Sequence, residues 1–175
     1  PPKPLRVLDV GTGSGCIAVT LALDLWNCTV TAWDISGDAL IIARENAHRL
    51  QAHVNLELQD ALNPDEMALN ALPFDIIVSN PPYICARESK DMAKHVLAHE
   101  PHTALFVPDD DPLLFYRSIA RYGLSHLKPS GMLAFEINPI HAEETCKMLE
   151  HMGYEQIESK EDQYGKERIV IARRD

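Results

Sequence analysis

The stretch Leu5-Arg6-Val7-Leu8-Asp9-Val10-Gly11-Thr12-Gly13-Ser14-Gly15 decides the fold. Arg6 to Val10 is short and apolar, bounded by Pro4 and Gly11, and reads as a buried strand. Three alternating glycines follow it. Cys16 to Trp26, apolar nearly all round, then reads as a helix packed deep against a sheet. A strand entering a helix through a glycine-rich turn opens a doubly wound domain, which takes its ligand at the carboxyl end of the strands. The spacing is G-x-G-x-G, not the G-x-G-x-x-G of the dinucleotide fingerprint, so the loop alone does not choose a ligand.

Outward from that loop, strand and helix patterns alternate, which predicts an α/β domain with a largely parallel sheet. Thr29 to Trp33 is a second strand, and Ser36 caps a helix with apolar positions Ala39, Ile42, Ala43, Ala47 and Leu50. Val54, Leu56 and Leu58 alternate with polar residues as a third strand, and Phe74 to Val78 is a fourth. Asp111-Pro112 supplies a cap and a first-turn proline for a helix whose buried stripe is Leu113, Tyr116, Ala120, Leu124 and Leu127. Lys128-Pro129-Ser130-Gly131 reads as a turn before a fifth strand, Met132 to Ile137. Ala142, Thr145, Cys146, Leu149 and Met152 mark an amphipathic helix stopped by Gly153. Two strands, Tyr154 to Glu158 and Arg168 to Ala172, close the chain. The proline-rich residues 1–4 are expected to be a linker end, and 5–175 one domain.

Sixteen Lys+Arg against 26 Asp+Glu leave a net charge of −10, and no basic run appears. A nucleic-acid binder neutralises phosphates with clustered cations, so direct nucleic-acid binding is not expected. No apolar run approaches the ~20 residues of a membrane span, nor does the start resemble a signal peptide. A cytoplasmic protein is therefore expected. Cys16, Cys28, Cys85 and Cys146 lie far apart without a Cys-x-x-Cys pair, so packed thiols are expected and no metal site. His95, His99 and His102 fall at near-helical spacing, but Pro101 interrupts them and no further ligand completes a sphere. Asp109-Asp110-Asp111 reads as a surface turn before the next helix.

Acidic residues give the glycine loop a ligand class. Asp34 ends the second strand about twenty residues on, where a carboxylate accepts both hydroxyls of a ribose. Asp60 ends the third strand, within reach of an adenine amino group, and Asp9 either faces a ligand ammonium or caps the glycine loop. An adenosine site ringed by negative charge suits S-adenosylmethionine, a sulfonium without phosphate, better than NAD.

Asn80-Pro81-Pro82-Tyr83 follows the fourth strand directly. Neither proline has an N–H, so the Asn80 side-chain oxygen and the Pro81 carbonyl are acceptors in a stiff frame, and Tyr83 adds a stacking face. An amide nitrogen is a poor nucleophile because its lone pair is delocalised. Two acceptors that hold its N–H bonds aim that lone pair, and bind more strongly as the nitrogen turns positive during transfer.

This constellation resembles the S-adenosylmethionine-dependent methyltransferases of planar NH2 groups. Within them, Glu100-Pro101-His102-Thr103-Ala104-Leu105, Phe115-Tyr116-Arg117 and Leu127-Lys128-Pro129-Ser130-Gly131 resemble the release-factor glutamine N5-methyltransferase family of HemK/PrmC type. The resemblance implies a class I S-adenosylmethionine-dependent methyltransferase fold: seven mostly parallel strands, the last antiparallel, with helices on both faces. It implies methyl transfer to the Gly-Gly-Gln glutamine of peptide chain release factors, with Asn80, Pro81, Pro82 and Tyr83 holding the substrate. Gly11, Thr12, Gly13, Ser14, Gly15, Asp34, Ile35, Asp60 and Ala61 would hold the cofactor, with Asn80 touching both ligands. The family usually carries glycines where this chain has Pro108-Asp109-Asp110-Asp111-Pro112, and Glu-Ile-Gly in place of Glu136-Ile137-Asn138. Its N-terminal helical domain has no counterpart in these 175 residues. The rival readings are an amino-methyltransferase of DNA or RNA bases, which shares the Asn80 loop, and a non-catalytic cofactor-binding module, which has no need of both Asn80 and Tyr83.

Overall fold

The structure, a computed structural model, describes residues 3–82, 84–85, 106–108 and 110–175. In chain order these form β1 (Leu5–Val10), α1 (Cys16–Asp24), β2 (Cys28–Asp34), α2 (Gly37–Leu50), β3 (Val54–Leu58), α3 (Glu66–Leu69) and β4 (Phe74–Ser79). Then come β5 (Ile84–Cys85), β6 (Phe106–Val107), α4 (Leu114–His126), β7 (Leu127–Glu136), α5 (Ala142–His151), β8 (Tyr154–Glu161) and β9 (Glu167–Arg174). Among the described residues, seven strands join in the order β3-β2-β1-β4-β7-β9-β8, and β5 pairs with β6 apart from them. Pairing is parallel from β3 through β7. The closing strand β9 runs antiparallel to both β7 and β8, as expected, and β8 joins the sheet only through it.

Alternation along β1 sorts the core into two layers, because successive strand residues point to opposite faces. Val7 joins Ala18 of α1 and Val30 and Ala32 of β2 on one side. Leu8 and Val10 point to the other, larger layer, where Trp33, Phe74 and Phe135 meet Tyr116 and Ile119 of α4 and Leu149 of α5. Each such fully buried side chain contributes roughly 1.5–3 kcal/mol.

Three local expectations shift, and one element is added. The buried stripe of α2 is Leu40, Ala43 and Ala47, while Ile42 and Leu50 stand 49% exposed. Ala43 sets this rotation: it lies where a Cβ on Gly15 would come within 3.1 Å, so the small residues of α2 face the glycine loop. Helix α4 begins at Leu114, not at Pro112. The Asp111 carboxylate is held by both terminal nitrogens of Arg117 at 2.9 Å, a charge-assisted fork, and Leu113 stands at the cap position. The Lys128–Gly131 turn is absorbed into β7 as an irregularity, with Ser130 at φ +60° and a register shift opposite Phe74–Ile76. Finally α3, one short turn capped by Asp65, has too few residues to show periodicity.

Candidate active site

Parallel register brings the glycine loop and the Asn80 loop together. Val10 stands opposite Trp33 on one side and Ser79 on the other. The chain therefore leaves the sheet at Gly11, Asp34 and Asn80 along one carboxyl edge. Chain order reverses between β1 and β4, and at such a switch point a crevice opens in doubly wound sheets.

The glycine loop is pinned by main-chain bonds to β2. Trp33 O accepts from Gly11 N at 2.9 Å and Thr12 N at 2.8 Å, and Asn46 Nδ2 of α2 donates to Ser14 O at 2.9 Å. Gly13 holds φ +57°, and nothing lies within 4 Å of where its Cβ would stand, so the loop is open toward solvent. Gly15 is the opposite case: φ +84° and Ala43 at 3.1 Å leave no room for a side chain.

Asp34 is tied to this loop. Its Oδ2 accepts from Gly13 N at 2.8 Å and its Oδ1 from Ser36 N at 2.9 Å. A carboxylate offers roughly four lone-pair sites, so a half-buried Asp34 retains capacity for two hydroxyl donors. Ile35 follows it, 64% exposed, a bare apolar surface beside the carboxylate. On the next segment Asp60 Oδ1 accepts from Leu62 N at 2.8 Å and Oδ2 from Asn63 Nδ2 at 3.3 Å, which folds the chain into a turn around Ala61.

Of its two expected roles, Asp9 takes that of a loop cap. It is wholly enclosed, at 0% exposure. Oδ2 accepts from Thr12 Oγ1 at 2.7 Å and Ala18 N at 3.1 Å, fastening the loop to the start of α1, and Oδ1 has no partner. Burial pushes its carboxyl up to about 6, against the downward pull of the Thr12 and Ala18 bonds, and nearby Asp34 adds a smaller upward push.

Asn80 is exposed at the end of β4, Pro81 is buried and Pro82 half-buried, so the donor-free segment begins on the sheet. Tyr83, the Glu100–Leu105 segment and His95, His99 and His102 lie outside the described residues. Two supports were not anticipated. Ser79 Oγ donates to Val10 O, and a lone polar residue closing the apolar run of β4 is a readable signal. Asn46 carries no such signal, since one polar residue on a solvated helix face looks like any other. Among the described residues no helix is long and apolar enough to cross a membrane.

The assembled edge offers an open glycine loop, a carboxylate beside it, a second carboxylate on the adjoining turn, and proline carbonyls across the switch point. Known proteins resemble this chain. The chain is 46% identical over 173 residues to the release factor glutamine methyltransferase of Bacteroides thetaiotaomicron, covering 99% of this chain and 62% of that protein. It is 43% identical to the protein of the same name from Flavobacterium psychrophilum, covering 96% and 58%. This chain thus spans about three fifths of the length of these curated relatives. A solved methyltransferase from Pyrococcus furiosus superposes with a TM-score of 0.69 at 20% identity, over 98% of this chain and 75% of that one. The fold is that of the class I S-adenosylmethionine-dependent methyltransferases. A family model described as a methyltransferase domain matches residues 2–165, nearly the whole chain, and on that match this chain belongs to the methyltransferase domain family.

Proposed function

We propose that this domain binds S-adenosylmethionine and transfers its methyl group to the side-chain amide nitrogen of the Gly-Gly-Gln glutamine in peptide chain release factors. The observation that carries the reading is the register of β1 and β4, which sets the Gly11–Gly15 loop and Asn80-Pro81-Pro82 side by side. The names of the relatives from Bacteroides thetaiotaomicron and Flavobacterium psychrophilum support the substrate.

In this reading Asp34 accepts the ribose hydroxyls, Ile35 covers one face of the base, and the Asp60–Ala61 turn receives its amino edge. Asp9 acts from inside, holding Thr12 and the start of α1 and so fixing the glycine loop beside the methionine portion of the cofactor. Asn80 and the Pro81 carbonyl take the two amide N–H bonds, with Tyr83 stacked against the substrate. S-adenosylmethionine, when bound, would supply an electrophilic methyl group, the electrons of the broken carbon–sulfur bond staying on its sulfur. Asn80 and the Pro81 carbonyl aim the amide lone pair at that methyl, and one amide proton passes to solvent. Acceptors fixed before the reaction bind the cationic nitrogen more tightly than the neutral amide. Orientation supplies up to ~7–11 kcal/mol in favourable cases. The protein works in the cytoplasm beside the translation machinery, without binding nucleic acid itself.

The test is mass spectrometry of a release factor incubated with S-adenosylmethionine and the full-length protein. The expected result is a gain of one CH2 on the Gly-Gly-Gln peptide and none on DNA or RNA. Methylated nucleic acid with an unmodified peptide overturns the substrate.

A further inference from the structure

One face of α4 carries Ser118, Tyr122 and His126, spaced four apart so that they stack along the helix. Each reaches a main-chain carbonyl of the segment between β3 and β4. Ser118 Oγ donates to Ala61 O at 2.8 Å and Tyr122 Oη to Ala68 O at 2.8 Å. His126 Nε2 lies 3.0 Å from Leu69 O, and its Nδ1 lies 3.1 Å from Tyr122 O of the same helix. The Tyr122 ring also meets Trp33 edge-on, with centroids 4.9 Å apart, and the Trp33 carbonyl is the acceptor for Gly11 and Thr12. A single helix face therefore braces both the glycine loop and the Asp60 turn from behind.

The three contacts differ in what they hold. Tyr122 and His126 are buried and stacked on each other at 3.9 Å, so they belong to the core that carries α3. Ser118 is half-buried, and its hydroxyl bonds to the residue after Asp60. Among the described residues that turn is otherwise held by its own short-range bonds to Leu62 and Asn63 and by Gln59, which accepts from Asp65 N and donates its own N–H to Asp34 O. The neighbouring Arg117 forks onto Asp111, so the same helical turn also anchors the chain arriving from β6.

Resting on the proposed cofactor site, we propose that Ser118 is a positioning residue: its hydroxyl fixes the Asp60–Ala61 turn at the angle that receives the adenine of the cofactor. Ser118 touches no ligand. It sets where Asp60 and Ala61 stand, and it contributes to binding the nucleoside half and not to the transfer step.

The experiment is calorimetry on the full-length protein with S-adenosylmethionine, S-adenosylhomocysteine and adenosine, comparing wild type, Ser118→Ala and Ser118→Thr. One lost neutral hydrogen bond corresponds to about a fivefold weakening. That factor is expected for all three ligands in Ser118→Ala, since all share the nucleoside. Turnover at saturating cofactor stays at the wild-type value while the KM for cofactor rises, and Ser118→Thr, which keeps the hydroxyl, restores binding. Affinity in Ser118→Ala equal to wild type overturns the positioning role alone. So does a loss that Ser118→Thr fails to restore. A wild-type protein that binds none of the three ligands overturns the cofactor reading and this inference with it.

Discussion

Ser79 donates its hydroxyl to the Val10 carbonyl at 2.6 Å, joining β4 to β1 at the last residue of each strand. The bond is buried and lies one residue before both Gly11 and Asn80, so it fixes the separation of the two loops. Ser79→Ala is expected to lower the unfolding free energy by about 1–2 kcal/mol. Urea denaturation checks this: the midpoint falls with an unchanged slope, and an unmoved midpoint removes the bond from the stability of the sheet edge.

Asp34 has two jobs, closing the loop through Gly13 and Ser36 and offering its remaining lone pairs to a ribose. Asp34→Ala is expected to weaken S-adenosylmethionine binding at least ~tenfold, or about 1.4 kcal/mol. Calorimetry that finds unchanged affinity takes Asp34 out of the cofactor site.

Asn80 belongs to the chemistry more than to the cofactor. Asn80→Ala should abolish methylation of the release-factor peptide while cofactor affinity stays within a few-fold of wild type. Near wild-type methylation by this variant removes Asn80 from the transfer step.

The enclosed Asp9 predicts a pH dependence with a definite sign. Burial raises its carboxyl from an ordinary 3.8 to about 6, so the folded protein binds this proton more tightly than the unfolded chain. Stability then falls as pH climbs from about 4 to about 6, because ionising Asp9 costs more inside than outside. The full cost above that window is about 3 kcal/mol. In Asp9→Asn no such proton exists, so the variant should gain on wild type by about that amount between pH 4 and pH 7. Parallel stability profiles for the two proteins would falsify the assignment.

How far the fold was legible follows from where each signal sits. β1, β4 and the glycine loop are local: an apolar run, a turn residue and a helix start lie within about a dozen residues. The closing antiparallel strand was available through the family resemblance and not through the pattern of residues. The start of α4 was misplaced because propensity at Asp-Pro is a local signal, whereas Leu113 takes the cap position and Asp111 meets the Arg117 guanidinium. The α2 face was misread because Gly15, 28 residues before Ala43, decides which side of the helix is pressed inward. In the site, the meeting of loops follows from the switch-point rule. The side-chain duties do not. Asp9 next to a glycine loop reads equally as a ligand contact and as a loop cap until its surroundings are known, and Ser118 is one serine among many until Ala61 lies beside it.

The position of β9 has a consequence for how the domain comes into being. A ribosome that has delivered the chain as far as Glu161 has already made β8, and β8 has no neighbour to join, because its place in the sheet is reached only across β9. Until Glu167–Arg174 emerge, β7 keeps a bare edge of unpaired N–H and C=O groups, the kind of edge on which chains aggregate. Strand β9 thus fills the gap between β7 and β8 and pairs the β7 edge, so a nascent chain short of Ile169 leaves β7 unpaired, and the margin of the sheet moves outward to β8 once β9 is in place.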